Sequence, residues 1–152
     1  TGDATYEWWA KYSGSTAVTR MFISQEDASA FYSIQAYNFS GDGKLTAYVC
    51  NNTTAYGSTG GGTTNNSAWK HYAVVRSGNN LYSYFDGTRF THATGLSGQT
   101  LLDATRALCI GLAEKGPAYS YLGWMDQIRI TKGVARYTAS TITVPTAAFP
   151  HF

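Results

Sequence analysis

Charged side chains are scarce in this 152-residue chain: Asp, Glu, Lys and Arg together make up 13% of it, about half of the ~25% usual in globular domains. A coiled coil or helical bundle is excluded, because either needs Ala, Glu, Lys and Leu in quantity. The net charge is only +2 and no Lys/Arg cluster is present, which argues against nucleic acid as the main partner. Cysteine is nearly absent too. Cys50 and Cys109 belong to no CxxC pair and lie near no clustered His, so a zinc site is not expected. Both fall at alternating, outward strand positions. Two separate thiols are therefore expected, although a disulfide would be possible if their Cα atoms came within about 7 Å. No run of 18 apolar residues occurs, and no basic stretch precedes an apolar one at the N-terminus. Neither membrane insertion nor a retained signal peptide is expected.

What the chain has instead is aromatic and uncharged-polar. Aromatic residues supply 15% of it, with twelve Tyr, and Thr, Ser, Asn and Gly make up the missing polarity. So many aromatic and β-branched side chains can bury enough apolar surface to offset chain entropy, which excludes disorder. A chain of this length buries roughly 68–70% of its unfolded surface and suits one domain, residues 1–152. The dominant hydrophobic period is two, that of a strand. Strands are expected at 5–11, 19–24, 31–37, 44–49, 69–76, 81–85, 88–92, 106–111 and 121–131. Turn signals separate them: Gly41-Asp42-Gly43, Ser77-Gly78-Asn79-Asn80 and Asp86-Gly87, the last suited to a type I′ hairpin because both residues tolerate positive φ. Residues 51–68, rich in Thr, Asn, Ser and Gly, read as a long surface loop, and 138–152 as a C-terminal tail. Helical turns are expected only within 24–30 and 133–139. Short strands with turns every 8–12 residues indicate an all-β, antiparallel two-sheet β-sandwich or jelly roll.

Several segments resemble a known family. Trp69-Lys70-His71-Tyr72-Ala73-Val74-Val75-Arg76, followed by Leu81-Tyr82-Ser83-Tyr84-Phe85-Asp86-Gly87, resembles the laminin G-like branch of the concanavalin A-like jelly rolls. Leu108-Cys109-Ile110-Gly111 is similar to that family's next strand, and Gly123-Trp124-Met125-Asp126-Gln127-Ile128-Arg129-Ile130 to its closing strand. The ending, Thr131-Lys132-Gly133-Val134-Ala135-Arg136-Tyr137 and then Pro145 to Pro150, resembles that of such domains in tailed-phage virion proteins. The resemblance implies a concanavalin A-like sandwich and a location on a virion or other extracellular surface. It also implies a strand before Thr5, where this chain has only four residues. That strand is either dispensed with or supplied by another segment or chain. Since an unpaired edge attracts strands, partners are expected to include copies of this chain or other virion subunits.

The residues themselves agree with that fold. In 69–76, Tyr72 and Val74 face one way while His71, Ala73 and Val75 face the other, so the strand should be central and covered on both sides. Asp126 interrupts an apolar strand, and as a half-buried carboxylate should accept N–H bonds from a neighbouring loop.

Catalytic chemistry is hard to place on this sequence. A retaining glycosidase needs two carboxyls about 5–5.5 Å apart, yet none of the three glutamates, Glu7, Glu26 and Glu114, has an acid two residues away. His71, His92 and His151 accompany no Gly-x-Ser-x-Gly turn, and His71 reads as a packed structural histidine. Gly60-Gly61-Gly62 is followed by no Lys-Ser/Thr, so it is not a phosphate loop. No catalytic residue, metal ligand or cofactor is expected. Laminin G-like relatives often hold calcium at the rim, and the resemblance leaves a rim calcium open here, but the six Asp form no Asp-x-Asp cluster that would name its ligands. Four Asn-x-Ser/Thr triplets begin at Asn38, Asn51, Asn52 and Asn65 and are chance matches in so Asn- and Thr-rich a chain.

Glycan binding is the positive expectation. Sugars present apolar C–H faces and hydroxyls, which an exposed aromatic beside neutral polar groups can match. Tyr48, Tyr82 and Tyr84 face away from the aliphatic set and, with Thr46 and Arg89, form the expected ligand-binding group. The bland alternative is that outward Tyr and Thr merely reflect β-propensity. The expected function is non-catalytic adhesion to surface glycan. The rival is a structural module that decorates a virion through its β-surface.

Overall fold

In the computed structural model, residues 2–14, 18–27, 32–64, 67–113, 117–147 and 149 are described. They form β1 (Ala4–Tyr12), β2 (Arg20–Glu26), β3 (Tyr32–Asn38), β4 (Lys44–Cys50), β5 (Ala55–Thr63), β6 (Lys70–Ser77), β7 (Asn80–Phe85), β8 (Thr88–Ala93), β9 (Leu108–Ile110) and β10 (Gly123–Lys132). Two five-stranded sheets result, a front sheet β10-β1-β6-β7-β8 and a back sheet β5-β4-β3-β2-β9. Every neighbouring pair is antiparallel. The expected β-sandwich is what the chain builds.

Alternation along each strand sends one set of side chains between the sheets. Trp8 and Ala10 of β1, Tyr72 and Val74 of β6, and Leu81 of β7 meet Phe22, Ile34, Ala36, Leu45, Ala47 and Val49 of the back sheet. Trp8 stacks on Tyr72 with ring centroids 5.8 Å apart. Phe22 lies 5.3 Å from Trp8, 5.2 Å from Tyr72 and 4.9 Å from Tyr121. Each such aromatic pair adds about 0.5–1.5 kcal/mol beyond the area it buries, so this cluster pins the two sheets together. The turn at Asp86-Gly87 has φ of 44° and 83°, as the hairpin expectation requires. Cys50 and Cys109 are free thiols, as expected, although Cys50 is buried.

Two expectations are corrected. Within the expected loop 51–68, β5 is a nine-residue strand. Three of its four glycines, Gly57, Gly61 and Gly62, are there for closeness rather than looseness: a Cβ on Gly57 would strike the Ala47 carbonyl and the Tyr48 ring, and one on Gly62 the Phe85 ring. The expected helical turn at 133–139 is irregular chain, and the short 3-10 turn falls at Pro117–Tyr119; of 24–30, Ser24–Glu26 belongs to β2 and 28–30 lie outside the described residues. Beside β1, where the sequence left open that another segment supplies the edge, β10 pairs on the side away from β6.

A strap on the front sheet and a two-tryptophan cleft

The outer face of the front sheet is covered by the chain that follows β10. The Thr5 hydroxyl donates to the Val134 carbonyl (2.9 Å) and accepts from the Arg136 N–H (3.0 Å). Farther on, Ser140 O and Ile142 N bond to Arg89 N and Gly87 O at the β8 end. The segment then returns, and the Phe149 N–H donates to Gln127 Oε1 at 2.7 Å. Ala135, Tyr137 and Ile142 pack on Ala73, Val75 and Tyr84. Strand β6 is therefore central and covered on both sides, as its sequence predicts.

Beneath this strap lies a buried charge. The Glu7 side chain is fully enclosed, with Arg129 Nε at 2.7 Å, the Tyr137 hydroxyl donating at 2.6 Å and the edge of His71 at 3.5 Å. Burial alone would raise its pKa, but the contacts from His71, Arg129 and Tyr137 together win and hold it at about 2. Tyr137 is correspondingly pushed up to about 12 by burial and by the Glu7 carboxylate. His71 is fully buried between Trp9 and Tyr137, in the packed role its sequence suggests. Glu7 thus clamps strap to sheet; Glu26 is also buried, receiving Gln35 Nε2 at 3.1 Å, and Glu114 lies outside the described residues.

The five residues singled out for ligand contact do not share a surface. Register places Thr46 and Tyr48 on the outer face of the back sheet, and Tyr82, Tyr84 and Arg89 on that of the front sheet. Two are not exposed at all. Thr46 is buried and hydrogen-bonds Thr59 Oγ1 at 3.0 Å. Tyr84 is buried under the strap, its hydroxyl donating to the Ala139 carbonyl at 2.8 Å. Arg89 holds its guanidinium 4.5 Å from the Tyr82 ring centroid and donates to the Thr138 carbonyl. Tyr48 is half-buried between Tyr32 and Tyr37, with centroids at 6.2 and 6.4 Å. Burial pushes the Tyr37 phenol up to about 12, with Tyr48 adding to the effect.

A different place on the front sheet gathers aromatic and polar groups, Trp69 and Asp126 exposed and Trp9 and Gln127 half-buried. Trp9 of β1, Trp69 just before β6, Asp126 and Gln127 of β10, and strap residues 145–147 line an open cleft of about 290 Å³. Trp69 is 43% exposed. A β-bulge creates the polar side: Trp9 pairs with Asp126 but Glu7 with Arg129, so β10 carries one extra residue there. Gln127 sits at φ 51°, a conformation costing a non-glycine residue on the order of 1 kcal/mol. The bulge lets two consecutive side chains line the same cleft, which regular alternation forbids. Asp126 is exposed rather than half-buried, and its Oδ1 accepts the adjacent Gln127 N–H at 2.7 Å, not a loop donor. The expected role for Asp126 is thereby corrected: it caps its own bulge and faces solvent.

Sequence reasoning missed this cleft, although signals existed. Adjacent Trp8 and Trp9 in one strand must face opposite ways, so one indole had to leave the core. Among the described residues no group of three or more His, Cys, Asp or Glu sits where a metal could be held.

Comparison with known proteins follows the same lines. No curated protein matches the sequence. By structure the chain is similar to domains LG4-5 of the mouse laminin alpha1 chain (TM-score 0.68, 13% identity), covering 96% of this chain and 41% of that one. It is also similar to a heptameric SAP-like pentraxin from Limulus polyphemus (TM-score 0.61, 16% identity, 84% and 63% of the two chains). A third likeness is to a Bacillus licheniformis beta-glucanase (TM-score 0.52, 19% identity, 87% and 67%). The chain thus spans about two fifths of the laminin fragment, and identities this low speak for the fold alone. Residues 1–138 match the family model of the concanavalin A-like lectin/glucanases superfamily in its laminin G form, and the chain belongs to that family.

Proposed function

We propose that this domain is a non-catalytic carbohydrate-binding module that attaches a virion or other extracellular particle to surface glycan. The observation that carries the reading is the cleft between Trp9 and Trp69, with Asp126 and Gln127 beside them. Indole faces match the apolar C–H faces of a sugar ring, while a carboxylate and an amide serve its hydroxyls. The cleft presents a single carboxylate among its lining residues, whereas glycoside hydrolysis uses two flanking the scissile bond; this favours binding over cleavage. The resemblance of the chain's ending to tailed-phage virion domains supports the particle context. An open cleft of this size holds one or two sugar units weakly, so useful adhesion comes from several copies acting together. A glycan array probed with a multimerised wild type and with Trp69→Ala is the test. Binding that Trp69→Ala abolishes supports the proposal; an empty array from a verified multimer overturns it.

One observation favours the second reading, a decorating module that contacts other subunits or copies of itself. Leu108 and Ile110 of β9 and Trp124 and Ile128 of β10 are exposed, and both strands are sheet edges. Exposed apolar side chains on sheet edges invite association. A strict monomer by light scattering at high concentration counts against this role.

A further inference from the structure

We infer that the cleft selects glycans carrying a free, protonated amine, such as a hexosamine unit, over acetylated and acidic ones. The inference deepens the carbohydrate-binding reading and rests on it. Its basis is the charge lining the cleft, where Asp126 is the single ionic side chain among the lining residues. Cations elsewhere on the front face have other partners, Lys70 with Asp86, Arg129 with Glu7 and the Phe149 ring, Arg136 with the Thr131 hydroxyl and Arg89 with the Thr138 carbonyl, and none of them lines the cleft. Lys11 holds its ammonium 5.5 Å from the Trp124 ring centroid and is not among the cleft's lining residues. Asp126 is the exception on the negative side. One of its oxygens caps the bulge, and among the described residues no Lys or Arg lies within ion-pair distance of the other.

The uncompensated charge of the cleft is therefore negative, and it stands beside two indoles. An indole face attracts a cation through its ring quadrupole, and a carboxylate at the same site adds to that attraction. Gln127 completes the selection. Its Oε1 already accepts the Phe149 N–H, which fixes the amide and leaves its NH2 to donate to ring or hydroxyl oxygens. A uronate or sulfate group brought to the same place would meet Asp126 with like charge and find no donor cation. The overall charge of +2 gives polycations no general attraction to this protein, so an amine preference would belong to the site.

Three tetrasaccharides decide the matter: fully deacetylated chito-oligosaccharide, its N-acetylated counterpart, and an oligouronate. Each is titrated into wild type, Asp126→Asn and Trp69→Ala, following indole fluorescence and calorimetry at a pH where the amine is protonated. The Asp126→Asn change removes the charge but keeps an oxygen acceptor to cap the Gln127 N–H, so the bulge remains. Wild type is expected to favour the deacetylated sugar by about tenfold, on the order of one charge-assisted contact. Asp126→Asn should bring the ratio of deacetylated to acetylated binding close to one. Equal binding of the two sugars by wild type, a preference for the uronate, or an amine preference that survives Asp126→Asn overturns the inference. Trp69-dependent binding of the acetylated sugar alone would overturn it while sustaining the carbohydrate-binding role; loss of Trp69-dependent binding to all three overturns both.

Discussion

Glu7→Gln tests the buried clamp most directly. A free glutamate titrates near roughly 4.3, and at 1.36 kcal/mol per pH unit its descent to about 2 in the fold corresponds to about 3 kcal/mol of stability from the charged form. That figure is an upper one, because the Arg129 side chain keeps 19% of its surface in water. The sign follows from the depressed value: the contribution is complete above the unfolded pKa and disappears as pH falls from about 4.3 through 2. The independent cost of stranding Arg129 beside a neutral partner is similar, about 3–5 kcal/mol for a broken buried pair. Glutamine fills the same space, but it offers one neutral acceptor oxygen where the carboxylate uses two charged ones, one for Arg129 Nε and one for the Tyr137 hydroxyl. Urea denaturation followed by tryptophan fluorescence, at a series of pH values from 7 to 2, should show a gap of about 3 kcal/mol between wild type and variant at neutral pH. That gap should close toward pH 2. Other carboxylates titrate in both proteins and cancel in the difference. A gap that stays constant down to pH 2, or no gap at pH 7, would refute the clamp.

Two further perturbations probe the scaffold. Tyr84→Phe removes the bond to the Ala139 carbonyl and should cost about 1 kcal/mol, read as a melting temperature lower by a few degrees together with faster proteolysis within 138–147. Gly57→Ala drives a methyl group into the Ala47 carbonyl and the Tyr48 ring; a loss of about 1–3 kcal/mol in chemical denaturation is expected, and an unchanged midpoint would mean that β5 does not lie close against β4.

Local signals carried most of the fold. The alternation in β6 and the Asp86-Gly87 turn depend on residues next to one another, and both were legible. Strand β5 was not, because glycine in sequence reports freedom while here it reports crowding by Tyr48 and Phe85. The outward face of Tyr84 was assigned correctly, but what lies above it was not: its cover comes from Ala139, fifty-five residues away, and no strand pattern announces a strap. The cleft was hidden for a related reason. Alternation assigns Asp126 and Gln127 to opposite faces, and only the bulge, visible in the pairing with β1, puts them together.

The cleft draws its walls from positions 9, 69, 126–127 and 145–147, nearly the full length of the chain. Its last wall arrives with residues beyond the 1–138 shared with the laminin G family. None of these pieces can meet by local folding, since each contact closes a loop of tens of residues. The cleft should therefore take shape in the same transition that closes the sandwich, since the pairings of β1 with β6 and β10 are its frame.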